Sequence, residues 1–98
     1  MEILKKANGT ELTLAVSGRL DTTTAPALEE EIKNSLGGVT ELTLDFEKLE
    51  YVSSAGLRVI LAAQKTMNKQ GSMKLINVCD DIKEVFDITG FIDILTIE

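Results

Sequence analysis

The sequence predicts an α/β domain: a β-hairpin followed by repeated strand–helix units, forming a mostly parallel four- to five-stranded sheet with helices mainly on one face. Three observations carry this. Residues 11–17 and 40–46 alternate apolar and polar side chains with the period of a strand. Residues 25–36 and 54–70 repeat apolar side chains at helical spacing. The two kinds of segment then take turns along the chain, which is the pattern of parallel strands joined by right-handed crossovers. Strands buried on both faces tend toward continuous apolar runs. Alternation therefore implies one sheet face under the helices and the other at least partly wet.

The first strand is expected over Glu2–Ala7, with Asn8-Gly9 as the hairpin turn because both residues tolerate positive φ. In the second, Glu11–Ser17, Leu12, Leu14 and Val16 share a face opposite Glu11, Thr13, Ala15 and Ser17. Gly18 is expected to end this strand, leaving Arg19–Thr24 as a loop. A helix follows over Ala25–Leu36, with Leu28, Ile32 and Leu36 as its apolar stripe. Thr24 is its expected cap, Pro26 suits its first turn, and Gly37-Gly38 stops it. The third strand, Thr40–Phe46, sets Leu42, Leu44 and Phe46 against Glu41, Thr43 and Asp45. The central helix runs from Ser54 to Gln70. Gly56, Ile60, Ala63 and Met67 mark its inner face, Leu57 and Leu61 widen it, and Gly71 ends it. Met73–Val78 is the fourth strand. Asp80 or Asp81 is expected to cap a short helix carrying Ile82, Val85, Phe86 and Ile88; Gly90 closes it, and Ile92–Ile97 is a last strand.

No linker, repeat or low-complexity segment divides the 98 residues, so one domain over 1–98 is expected. The net charge is −6, with no basic block. Nucleic-acid binding and anionic membrane surfaces are disfavoured, since both need clustered Lys and Arg. A basic patch on a protein partner suits this surface better. The single Cys79 cannot form an internal disulfide, which fits a reducing compartment. The longest apolar run, Val59–Ala63, is far short of the roughly 20 residues of a membrane span, and nothing at the N-terminus resembles a signal peptide. A cytosolic protein is expected. There is no His, hence no base for Cys79 and no cluster of metal ligands, and neither a P-loop pattern nor an aromatic platform exists. Neither catalysis nor a metal or other cofactor is expected, and a small-molecule sensor gains no support.

The residues that carry most information are Tyr51-Val52-Ser53-Ser54-Ala55-Gly56-Leu57-Arg58. Two hydroxyls sit where a helix opens, among free backbone N–H groups and the positive end of the helix dipole. A serine there can be a phosphorylation switch; it can also be a plain helix cap worth about 1 kcal/mol. If strands two and three are parallel, the loops after both emerge at one sheet edge, where sites on such sheets usually lie. Asp21, in the first loop, then becomes a neighbour of Ser53 and Ser54, although it can equally cap a helix or bond a loop amide. Gly56 costs about 1 kcal/mol inside a helix relative to Ala. Close helix–sheet packing and an open approach for a partner both account for it.

These residues resemble the STAS domain family, and within it the small stand-alone bacterial anti-sigma factor antagonists. Gly18-Arg19-Leu20-Asp21 followed by Thr24-Ala25 is similar to the family's Gly-x-Leu-Asp step. Tyr51–Leu57 is similar to its Asp-Ser-Ser/Thr-Gly-Leu run at the start of the central helix. The resemblance implies a protein-binding module and not an enzyme. Its partner would be an anti-sigma factor that is also a serine kinase; a serine phosphatase would reset the cycle. It implies Ser54 as phosphoacceptor, with Ser53 the alternative, and Asp21, Thr22, Thr23, Ser53, Ala55, Gly56 and Arg58 as the partner-binding residues. Three positions depart from the pattern: Ser53, Ala55, which has lost a possible hydroxyl, and Arg58. Ser53 stands where an acid is usual, which removes a like charge from beside a phosphate and adds a second hydroxyl. Arg58 stands where a small residue is common and is long enough to reach a phosphate or a partner carboxylate. The alternative role is a constitutive scaffold subunit of a signalling or transport complex, without phosphorylation.

Overall fold

The computed structural model describes residues 1–98 as one five-stranded sheet with helices on one face. β1 (Glu2–Asn8) and β2 (Glu11–Leu20) form the antiparallel hairpin, from Glu2 opposite Ser17 to Asn8 opposite Glu11. Asn8 is still paired, so the turn is Gly9-Thr10, one residue later than expected, with Gly9 at φ 63°. α1 (Ala25–Ser35) leads to β3 (Glu41–Asp45), which lies parallel to the first half of β2. β5 (Ser72–Ile76) lies parallel to β3 on its other side. The intervening α2 (Ser54–Gln70) has the predicted bounds.

Three expectations need correction. Gly18 does not end β2. It takes φ 84° and marks a register shift, a bulge at which the strand bends and continues to Leu20. Beyond the bulge β2 acquires a new parallel partner, β4 (Leu49–Val52), with Arg19 opposite Tyr51 and Leu20 opposite Val52. Arg19 and Leu20 are therefore strand, not loop. β3 and β4 thus lie in succession along the same side of β2, separated by Phe46–Lys48, and the fifth strand is β4. The predicted last strand Ile92–Ile97 is not formed: Phe91–Asp93 is a 3₁₀ turn, and only Ile97 bridges to Leu75. Gly90, at φ 80°, turns the chain so that Ile92 and Ile94 point to solvent. Finally, α3 (Asp80–Ile88) is entered through Cys79 at its N-cap; Asp80 and Asp81 lie in its first turn, where their charge suits the helix dipole.

The alternating strands set one apolar face inward. Leu12, Leu14 and Val16 of β2, Leu42 and Leu44 of β3, and Met73 and Leu75 of β5 are buried beneath Leu28 and Ile32 of α1, Ile60, Ala63 and Met67 of α2, and Phe86 of α3. On α2 the face is widened by Leu57 and Val59, while Leu61 is only half-buried. The opposite sheet face is open, as the alternation predicts. It carries a hollow of about 600 Å³ whose lining includes Lys6, Glu11, Thr13, Glu41, Thr43 and Lys74. No helix is long and apolar enough to cross a membrane.

Candidate functional site

The bulge at Gly18 creates the site's geometry. It carries β2 forward to end beside β4, and the Ser53 N–H donates to the Leu20 carbonyl at 2.8 Å. The connections β2–α1 and β4–α2 therefore leave the same sheet edge side by side, one beginning with Asp21 and the other with Ser53. The topology thus brings the two predicted segments together.

The two serines have different environments. Ser53 has extended backbone (φ −95°, ψ 175°) and is the N-cap of α2, its Oγ accepting from the Gly56 N–H at 3.3 Å. Its carbonyl accepts the first helical bond, from Leu57, at 2.9 Å. Ser54 is the first helical residue; it is exposed, and its hydroxyl has no partner within the chain. The cap is thus Ser53 and not Ser54. With the Gly56 amide capped, the Ser54 and Ala55 N–H groups remain in the first turn without an intrahelical acceptor.

Gly56 is buried, and a Cβ there would lie 2.7 Å from Leu20 Cγ and 3.0 Å from the Leu20 carbonyl oxygen. Its missing side chain lets α2 rest directly on the last residue of β2. Gly56 therefore serves the site by positioning and presents no open approach to a partner. Ala55 is half-buried against the core.

Asp21 is tied into its own loop. Its Oδ1 accepts from the Thr23 N–H at 3.0 Å, the Thr23 hydroxyl at 2.8 Å and the Thr24 N–H at 3.2 Å. The Thr23 hydroxyl, with the Thr23 and Thr24 amides behind it, holds the carboxyl below its ordinary value of 3.8. Its Oδ2 has only Arg19 Nε nearby, at 3.9 Å. Thr24 does not cap α1 through its side chain; its Oγ1 accepts from the Asp21 N–H at 2.8 Å and donates to the Arg19 carbonyl at 2.7 Å. Thr22 and Thr23 are exposed at the loop tip, and Arg58 is exposed one turn into α2.

One contact at this edge was not legible in the sequence. The Arg19 guanidinium lies over the Tyr51 ring, 4.2 Å from its centroid. The two residues are register partners across β2 and β4, so the pairing is visible only once β4 is known to be a strand. Neither the hollow on the open face nor a smaller one lined by Glu2, Leu4 and Lys48 includes any of these residues. At the serine corner Ser54 and Arg58 are exposed, Asp21, Ser53 and Ala55 half-buried.

Comparison with known proteins bears on the family and the fold. A family model described as the STAS domain matches residues 2–98. The anti-sigma-B factor antagonist of Bacillus subtilis strain 168 is 32% identical over 93 residues, 94% of this chain and 85% of that protein. The anti-sigma factor antagonist SpoIIAA in its unphosphorylated form is similar with a TM-score of 0.85 and 18% identity, over 99% of this chain and 88% of its own. The Bacillus cell fate determinant SpoIIAA in its phosphorylated form is similar with a TM-score of 0.77 and 19% identity, over 99% of this chain and 91% of its own. The last two likenesses show a shared fold.

Proposed function

The chain belongs to the STAS domain family, and on that premise we propose that it is a phospho-regulated anti-sigma factor antagonist of the cytosol. Unphosphorylated, it binds an anti-sigma factor that is also a serine kinase, and the sigma factor is released. The kinase transfers the γ-phosphoryl group of ATP to Ser54: the Oγ–P bond forms, the bond between the γ-phosphorus and the β–γ bridging oxygen breaks, ADP leaves, and the hydroxyl proton passes to a base of the kinase. A serine phosphatase restores the hydroxyl with water, releasing phosphate. The observation that carries this reading is the division of labour between adjacent serines. Ser53 spends its oxygen on the helix cap, whereas the Ser54 hydroxyl is exposed and unpartnered. Support also comes from the relatives, which are themselves anti-sigma factor antagonists, and from SpoIIAA, which carries a phosphorylated state on the same fold.

The switch needs no change of fold. A phosphoserine carries about −1.5 to −2 charges at neutral pH. Two unit charges about 6 Å apart at an effective dielectric of about 20 interact by roughly 3 kcal/mol, which exposure and salt cut severalfold. A surviving ~1.4 kcal/mol against an acid of the partner is a tenfold loss of affinity. The helix N-terminus meanwhile tolerates the phosphate, so the domain stays folded. Intact-mass measurement after incubation with the cognate kinase and ATP, followed by peptide mapping, tests the assignment: one phosphate on Ser54 is expected, and a phosphate on Ser53 alone overturns it. A chain that binds its partner but takes up no phosphate would be the constitutive scaffold, a reading favoured by Ser53 standing where the family has an acid.

A further inference from the structure

We propose that Arg58 is the built-in counter-ion for a phosphate on Ser54, so that phosphorylation both adds charge and withdraws a cation from the partner-facing surface. This rests on Ser54 being the modified residue. Ser54 and Arg58 stand four residues apart on α2, hence on one face with Cβ atoms about 5–6 Å apart. Helical side chains lean toward the helix N-terminus, so the long Arg58 side chain covers the turn that Ser54 begins. Both residues are exposed. Arg58 has no ion-pair partner: the chain's two ion pairs are Arg19–Asp21 and Lys33–Glu29. No Asp or Glu occurs anywhere on α2 to compete for it. The other cation at this edge, Arg19, is held over Tyr51 and near Asp21.

With no acid on α2 and no ion pair of its own, the Arg58 guanidinium is unpaired in the unphosphorylated domain. Its planar fork matches two phosphate oxygens at once. In the unphosphorylated chain the same fork is free for a carboxylate of the partner. In the phosphorylated chain it is occupied.

The test installs phosphoserine at position 54 by genetic encoding, so no kinase is needed, and follows the phosphate by ³¹P NMR through its second ionisation near pH 6. The charged groups of this edge are Arg58 on α2, Arg19 on β2, Asp21 in the β2–α1 loop and Glu50 on β4. A second pKa about 0.3 unit lower in the parent than in Arg58→Gln is expected, with the Arg58 Nε–H resonance moving over the same pH range. Arg19→Gln is expected to leave the value in place. Equal values in parent and Arg58→Gln, or a larger change from Arg19→Gln, overturn the counter-ion role while leaving Ser54 intact as a kinase target. A lowered value supports that role whichever serine a kinase selects.

Discussion

The two connections that share the site edge are built in opposite ways. The β2–α1 loop is closed on itself: Asp21 Oδ1 draws in the amides of both Thr23 and Thr24 and the Thr23 hydroxyl, and Thr24 ties the loop back to Arg19. The β4–α2 junction is divided, one serine oxygen bonded into the helix cap and the next left to solvent. The difference teaches how a small domain can expose a hydroxyl without loosening its frame. Asp21 holds its loop and Ser53 holds the helix start, while the Ser54 hydroxyl is left free on the first residue of a long, packed helix.

The seam that joins the two connections should be the most sensitive point. Gly56→Val places a branched side chain where a Cβ already comes within 2.7 Å of Leu20. Overpacking of this kind costs about 1–3 kcal/mol, and the upper part of that range is expected because the Leu20 backbone is also in the way. Gly56→Ala should cost less, since the helix gains about 1 kcal/mol from losing a glycine. Urea unfolding measures both, and a Val variant as stable as the parent would mean that α2 can slide off β2 freely.

The next effect is on binding alone. On the proposed function, Ser54→Asp should weaken the complex with the proposed kinase anti-sigma factor about tenfold and leave the urea midpoint nearly unchanged. Ser54→Ala should bind like the parent yet resist being switched off. Equal affinities for Ser54→Asp and Ser54→Ala would remove charge at this corner as the controlling quantity.

A smaller and purely structural contrast separates the two serines. Ser53→Ala removes the cap bond to Gly56 and should cost about 1 kcal/mol; Ser54→Ala should stay within about 0.5 kcal/mol, as exposed substitutions do. Thermal unfolding of the pair checks this, and the reverse ranking would move the cap to Ser54.

Much of this arrangement is readable from the residues, for identifiable reasons. The bounds of α2 are legible because Gly71 and the serine pair punctuate a long periodic run; a shared sheet edge for Asp21 and the serines is expected from parallel β2 and β3, whereas the structure reaches it through the bulge at Gly18 and the pairing of β2 with β4. β4 is hidden because only its ends are buried: Leu49 and Val52 face in, Glu50 and Tyr51 face out, and four residues without alternation do not read as a strand. Gly18 misleads because glycine usually punctuates, and nothing local distinguishes a stop from a bulge. Ile92 and Ile94 mislead in the opposite sense, having the spacing of a strand that the turn at Gly90 prevents. The cap is ambiguous because adjacent serines can each serve. Only the backbone reveals that Ser53 is extended and Ser54 helical.

The smallest expected effect opposes the closed loop to the far end of the same strand. The folded-state pKa of Asp21 is lowered, chiefly by the Thr23 hydroxyl. Its contribution to stability is therefore present above the ordinary carboxyl value of 3.8 and is lost as pH falls through the lower folded value. At the opposite end of β2, Glu11 is paired in register with Glu41, and the shared hydrogen bond and like charge raise its pKa above 4.5, with Lys74 pulling the other way. Its sign is reversed: the folded state takes up a proton more readily than the unfolded one, so stability rises as pH falls through the raised value. Lowering the pH from about 7 should thus first ease the Glu11–Glu41 repulsion and then, below about 4, loosen the Asp21 loop. Glu11→Gln should flatten the first limb and Asp21→Asn the second, each slightly, because Glu11 is exposed and the half-buried Asp21 is still screened by solvent. Urea midpoints across this pH range, with carboxyl ¹³C shifts assigning each step, make the check. An Asp21 carboxyl that titrates at its ordinary value would mean the loop is open in solution, and the contrast between the two connections would then vanish.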